Sequence, residues 1–247
     1  MPSFFISIFA AIFGLQILFF LIANSFKTDK LTDLAYGLTF VILVQYLFWT
    51  TNQSFYFLLP TILISLWGLR LASYLLIRIL KIKKDKRFDN IRPNFISFLG
   101  FWLLQATTIF AVSLNYVFLS QSNNQTINLI SVLAFILAAI GLGIETMADY
   151  QKYQFKNDPK NKGQFIQTGL WKHSRHPNYL GEIIFWLAIW LYSLSALNAA
   201  TSLISLISPI YIFLLIRFVS GVPLLEKNYA KRYGQAWEKY KAKTRVI

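Results

Sequence analysis

Seven long apolar stretches run through this chain, at about 3–26, 34–50, 54–80, 93–119, 127–149, 178–195 and 200–219. Each reaches or approaches the roughly 20 residues needed to cross the hydrocarbon of a bilayer. Within hydrocarbon every backbone N–H and C=O must be satisfied inside the segment, so such stretches can only be helices. The expected fold is therefore an all-α polytopic membrane protein with seven transmembrane helices. A hydrophobic content of 56% and a mean hydropathy of +0.50 exclude a soluble domain of 247 residues.

The loops orient the spans. Of the 24 Lys and Arg, two lie in 27–30, six in 81–92, six in 152–175 and eight in 217–247; only Arg70 and Arg78 fall well inside a span, with Arg217 at the end of the seventh. The turns near 51, 122 and 197 carry none. Positive residues accumulate in cytoplasmic loops, so the alternation predicts an N-terminus outside and a cytoplasmic C-terminus. It also argues against nucleic acid as the reason for a net charge of +14, because the charges sit between spans. Met1-Pro2 offers no positive n-region and no small-residue cleavage site follows, so no removable signal peptide is expected. There is no cysteine, and two histidines with ten scattered carboxylates give no metal-ligand cluster. No internal repeat or linker divides the chain, which predicts one membrane domain over 1–247.

The chemistry concentrates where a Lys-rich segment turns into the sixth span. The stretch Gly169-Leu-Trp-Lys-His-Ser-Arg-His-Pro-Asn-Tyr-Leu-Gly-Glu182 holds both histidines, His173 and His176. Pro177 suits the first turn of a helix, where its missing N–H has no partner to lose. A helix starting there puts Asn178, Tyr179 and Glu182 on one face. Its free N–H groups and positive dipole end point back at Arg175 and His176, a ready anion site. The plain alternative is a basic, aromatic cap at headgroup level. Lys152 and Lys156 precede it, with Lys160 and Lys162; they serve as a cytoplasmic anchor or hold phosphates beside that helix start.

Charges at membrane depth are costly and face a partner or a polar cavity. Arg70, Tyr74 and Arg78 recur every four residues on the third span. Arg78 is expected to snorkel to the interface, and Arg70, being deeper, is a candidate site residue. Glu145 and Asp149 are four apart at the end of the fifth span. Either they face headgroups, which a negatively charged leaflet disfavours, or they lie beside Arg175 and His176.

Three pieces together, Gly141-Leu-Gly-Ile-Glu-Thr-Met-Ala-Asp-Tyr-Gln-Lys152, the 169–182 stretch, and Ser220-Gly-Val-Pro-Leu-Leu-Glu226, resemble the bacterial membrane branch of the steroid 5-alpha-reductase superfamily. The resemblance is strong over about 140–240. It is weaker over 60–105, where Trp67, Arg70, Tyr74 and the Arg87 to Arg92 loop fit the pattern. Arg-His-Pro-x-Tyr-x-Gly is shared more widely, with isoprenylcysteine carboxyl methyltransferases and sterol reductases. The resemblance implies seven helices, with NADPH held among the last three spans, loop and tail (127–247) and the substrate on the side of the first four (3–119). It implies that Glu145 and Asp149 meet the nicotinamide-ribose end, that Lys156 and Arg175 hold phosphates, and that Asn178 and Glu182 form part of the cofactor wall. Tyr229 and Tyr233 fall near the C-terminal contacts. Steroid reductases place a glutamate and a tyrosine from the early helices at the enone oxygen. Here the tyrosine position holds Trp67, and no acid occurs between Asp33 and Asp85.

The resemblance implies an NADPH-dependent reductase of a lipid-soluble, unsaturated, enone or steroid-like substrate in the bacterial inner membrane. Tyr74, Tyr179 and Glu182 are the expected catalytic groups, and Trp67 and Arg70 the expected substrate contacts. Lys152 and His176 join Tyr179 and the other residues above at the cofactor. Two rivals remain open. One is a methyltransferase, with S-adenosylmethionine held by Glu145 and Asp149 and a lipid-linked acceptor. The other is a non-catalytic lipid- or cofactor-binding membrane protein, favoured by the missing acid–tyrosine pair.

Overall fold

A computed structural model describes residues 2–51, 53–82, 88–124 and 126–247. Residues 83–87 of the basic loop, with Arg87, lie outside the described residues. Among the described residues the elements are helices: α1 (Pro2–Ser25), α2 (Thr32–Thr50), α3 (Phe55–Ile82), α4 (Phe95–Ser120), α5 (Leu129–Asn157), α6 (Pro177–Ser193), α7 (Ala199–Ser205), α8 (Ile207–Leu214), α9 (Val222–Tyr233) and α10 (Gln235–Lys243). One isolated parallel bridge joins Ser174 to Arg245.

Six of these segments are long and apolar enough to cross a membrane: α1 to α5 and the run Ala199–Tyr233. With 17 residues, α6 is about 25 Å long and sits at the short limit for spanning. Their outward faces carry Ile6, Leu18, Leu21, Ile42, Leu69, Leu129, Leu133 and Ile136, all exposed. Apolar surface of that extent belongs against lipid. The protein is an integral membrane protein.

Three boundaries differ from the sequence expectation, each for a local reason. The fifth span, expected to end at 149, continues as helix to Asn157. It stops at Asp158 because Pro159 disfavours helical backbone in the residue before it. Lys152 and Lys156 therefore ride on α5, on the same face as Glu145 and Asp149. The fourth helix starts after Asn94, whose side chain accepts from the Ser97 N–H at 2.9 Å, a helix cap two residues beyond the expected start. The seventh span is broken between Ser205 and Ile207. Pro209 lacks an N–H, and its ring meets the carbonyl four residues back, that of Ser205.

The chain divides into two compact units, Met1–Asn128 with Ser193–Ser208, and Leu129–Tyr192 with Pro209–Ile247. In the first, α2 and α3 approach to backbone contact at Gly37 and Gly68. A Cβ on Gly37 would stand 2.5 Å from the Gly68 carbonyl oxygen. Small residues at a crossing are how membrane helices pack without a hydrophobic driving force. Buried amides tie α1, α2 and α4: Gln16 donates to Thr39 at 2.8 Å, and Gln105 donates to Gln16 at 2.7 Å. Arg78 pairs with Asp33 at 3.2 Å, so it meets a carboxylate on α2 in addition to any snorkelling. Arg92 pairs with the buried Asp29 at 2.6 Å.

In the second unit, α5 and α6 cross at Gly141 and Gly181. A Cβ on Gly181 would lie 2.6 Å from both the Glu145 nitrogen and the Gly141 oxygen. Beyond this crossing the polar segment folds back on α5 through Trp171, whose Nε1 donates to the Ala148 carbonyl at 3.0 Å. An aromatic cluster of Phe165, Tyr229, Tyr233, Trp237 and Tyr240 anchors α9 and α10.

Candidate functional site

The Gly141–Gly181 approach decides where the carboxylates of α5 go. With no side chain between the backbones, Glu145 is carried against Gly181, and the next turn of α5 meets the first turn of α6. There Asn178 Nδ2 donates to Asp149 Oδ1 at 3.2 Å. Glu145 and Asp149 are 3% and 8% exposed, so both acids are turned inward and away from headgroups. Asn178 Oδ1 is buried without a hydrogen-bond partner. A buried acceptor left so costs about 1–3 kcal/mol, which a ligand N–H or O–H would recover.

The strap between Trp171 and Pro177 supplies the cation. Arg175 is 5% exposed and His176 1%. Both meet Glu226 of α9: Arg175 Nε lies 3.3 Å from Oε1 and His176 Nε2 lies 3.1 Å from the same oxygen. The carboxylate can only accept, so His176 donates through Nε2. At Arg175 the pairing is by distance alone, because neither Nε nor Nη1 makes a hydrogen bond. Beyond its pairing with Glu226, the buried guanidinium keeps donor capacity at Nη1 that suits an anion. The His176 ring stacks on Tyr179 at 5.4 Å and 17°. Gly221 backs Tyr179, since a Cβ there would come 3.1 Å from its ring and 2.6 Å from the Ile216 carbonyl.

Burial holds His176 below its usual pKa of 6.5; the Glu226 hydrogen bond opposes this, and Lys152 and Arg175 add to it. A folded pKa below the unfolded one means that the unfolded chain takes up the proton first as pH falls. Stability from this group is fully present above 6.5 and declines as pH drops below it, down to the folded pKa. The thermal midpoint in detergent should therefore be flat above that point and fall below it. His176→Gln should remove that slope, and an unchanged slope would assign it to other groups.

The other candidate residues have the following surroundings. Lys152 Nζ sits 4.7 Å over the Trp171 ring and 5.9 Å from Tyr229, a cation held between aromatic faces. Tyr229 and Tyr233 belong to the aromatic cluster, and the Tyr233 hydroxyl donates to the Gln164 carbonyl at 3.3 Å. Lys156 is exposed on α5, and Glu182 is half-buried beside Gly181 on α6. Trp67, Arg70 and Tyr74 belong to the first unit. Trp67 is fully buried, edge-on to Phe40 at 5.1 Å and to Tyr36 at 6.3 Å; Arg70 and Tyr74 are half-buried. A polar cavity of about 350 Å³, lined by Gln151, Gln154, Phe155, Asp158 and Thr168 among others, opens on another face of α5 and is lined by none of the candidates.

Glu226, Tyr240 and the Arg245 backbone are functional neighbours that spacing alone does not nominate. Glu226 ends a motif noticed in the sequence, yet nothing local pairs it with residues 50 positions earlier. Tyr240 donates to the carbonyls of Trp171 and Ser174, and the Arg245 carbonyl accepts from the Arg175 N–H at 2.8 Å.

Fold and site together define a polytopic helical membrane protein with buried acids, an amide and an under-bonded guanidinium gathered at one end of two crossing helices. A family model described as "Protein of unknown function (DUF1295)" matches residues 19–244, and the chain belongs to that family, which is associated with steroid 5-alpha-reductase-like proteins. No curated protein and no solved structure matches the chain.

Proposed function

We propose that the protein is an NADPH-dependent reductase of a lipid-soluble, unsaturated substrate, in the bacterial membrane branch of the steroid 5-alpha-reductase superfamily. The observation that carries this reading is Arg175: a guanidinium 95% removed from solvent and paired with Glu226 at 3.3 Å, whose Nε and Nη1 make no hydrogen bond. Its donors suit a phosphate. The unpartnered Asn178 Oδ1 suits a carboxamide N–H, and Glu145 and Asp149 suit ribose hydroxyls, so the residues present fit the dinucleotide. When bound, a reduced nicotinamide supplies the hydride equivalent for an activated C=C. The chain's own part is to bind and orient that cofactor and to give a proton to the second carbon. Tyr179, stacked on His176, is the phenol proposed for the proton.

A second reading rests on a different observation. Two acids as buried as Glu145 and Asp149 would also favour a sulfonium, which points to an S-adenosylmethionine-dependent methyltransferase. Mass spectrometry of small molecules released from gently purified protein separates the readings: NADPH supports the first, S-adenosylmethionine the second, and neither a non-catalytic binding role. Arg175→Ala should weaken NADPH binding by about 1.5–3 kcal/mol, the worth of a charge-assisted hydrogen bond, with folding in detergent nearly intact. Unchanged affinity would remove Arg175 from the cofactor site.

The proposed topology has seven spans in the bacterial inner membrane, with 81–92, 150–176 and 220–247 in the cytoplasm and 51–53, 120–126 and 195–199 outside. The chain has no cysteine, so single-cysteine labelling is clean. A cysteine replacing Asn123 should react with an impermeant reagent on intact cells. Reaction only after lysis would invert the topology.

A further inference from the structure

Backbone accounting around the strap shows that much of what fixes it comes from the far end of the chain. Ser174 N–H reaches back to the Leu170 carbonyl at 3.3 Å and His176 N–H to Ser174 Oγ at 3.1 Å, both local. His173 N–H also reaches the Leu170 carbonyl, at 3.1 Å, and further ties are distant. Arg175 N–H donates to the Arg245 carbonyl at 2.8 Å, Ser174 Oγ donates to the Val246 carbonyl at 3.3 Å, and the Tyr240 hydroxyl donates to the carbonyls of Trp171 and Ser174. The Tyr240 ring is itself held 5.3 Å from Phe165 and 5.5 Å from Trp237. It is 7% exposed.

We propose that Tyr240 is a positioning residue for the anion site: its hydroxyl, shared by the Trp171 and Ser174 carbonyls, fixes the backbone from which Arg175 presents its guanidinium. Helix α10 thereby sets the affinity of a site that Tyr240 does not touch. The inference rests on Arg175 being an anion receptor, as in the function proposed above. Three features make the phenol suited to the task. The strap is non-helical from His173 to His176, so no intrahelical ladder holds it. Its carbonyls are enclosed, and an enclosed carbonyl without a donor is destabilised, so the strap would shift to find one. Burial pushes the Tyr240 pKa up to about 12, which keeps the hydroxyl a donor at any working pH.

The test compares wild type, Tyr240→Phe, Arg175→Ala and the double variant for affinity to NADPH and to inorganic pyrophosphate, with hydrogen exchange followed over 171–176. Tyr240→Phe keeps the ring in its cluster and removes only the donor. It should weaken both ligands about five- to tenfold, the worth of one hydrogen bond, and speed exchange in the strap. The double variant should bind no more weakly than Arg175→Ala, because Tyr240 acts through Arg175. A purely structural tyrosine would instead lower the thermal midpoint and add its loss to that of Arg175→Ala. Additive losses, or unchanged affinity and exchange in Tyr240→Phe, overturn the proposal. Wild type that binds pyrophosphate but not NADPH would end the reductase reading while leaving Tyr240 to be judged on pyrophosphate; wild type that binds neither overturns both. If Tyr240→Phe does not fold, a fluorinated tyrosine of lowered pKa at position 240, which keeps the ring and loses its proton as pH rises, gives the same comparison through a fall in affinity with pH that wild type lacks.

Discussion

Gly181→Leu is expected to leave no correctly folded protein in detergent, while Gly143→Ala, two residues past Gly141 on the same helix, is expected to be harmless. At Gly181 even a Cβ would come 2.6 Å from the Glu145 nitrogen and the Gly141 oxygen, both backbone atoms of α5. Backbone of a packed helix cannot move aside as a side-chain tip can. Gly181→Ala should already cost about 1–3 kcal/mol by overpacking, and a leucine must drive α5 and α6 apart. At Gly143 nothing lies within 4 Å of the added carbon. There alanine brings only its better helix propensity, about 1 kcal/mol at most. Thermal unfolding and size-exclusion profiles of the three variants decide it. Equal behaviour at Gly143 and Gly181 would mean that the helices do not cross where the structure has them.

The same crossing sets up the second large effect. If the proposed function holds, Asp149→Leu and Asn178→Leu should each abolish detectable NADPH binding, because each breaks the buried hydrogen bond between α5 and α6. Their effects on stability should be far from additive, with a coupling of at least about 1 kcal/mol, as for groups in contact. The double variant, which loses the same hydrogen bond only once, should be more stable than the sum of the single losses predicts. The stability cycle can be read even where binding is lost. Additivity within about 0.5 kcal/mol would mean that the two side chains do not meet, and the proposed cofactor wall would have no centre.

Both effects trace to two glycines 40 positions apart, and they mark the line between what was legible locally and what was not. The apolar runs sufficed for the helices, since a bilayer leaves a long apolar segment no other conformation. Pro177 sufficed for the start of α6, because its fixed φ and missing N–H suit that one position. That Glu145 and Asp149 share a face followed from their spacing, and the Asn178–Glu182 face from the same rule, but the inward turn of the two acids is seen only in their burial. What spacing could not supply is the partner on another helix. Glu226 reaches Arg175 and His176 across 50 residues of chain, Tyr240 reaches Trp171 and Ser174 across more than 60, and Asp33 waits for Arg78 on a neighbouring helix. Lys152 reads from the sequence as an anchoring charge or a cofactor contact, and the aromatic face beside it exists only because Trp171 folds back onto α5. Helical period and turn chemistry are properties of a few adjacent residues and can be read from them. A contact between distant residues exists only once backbones have approached closely enough to permit it, and at Gly141 and Gly181 that approach is decided by packing.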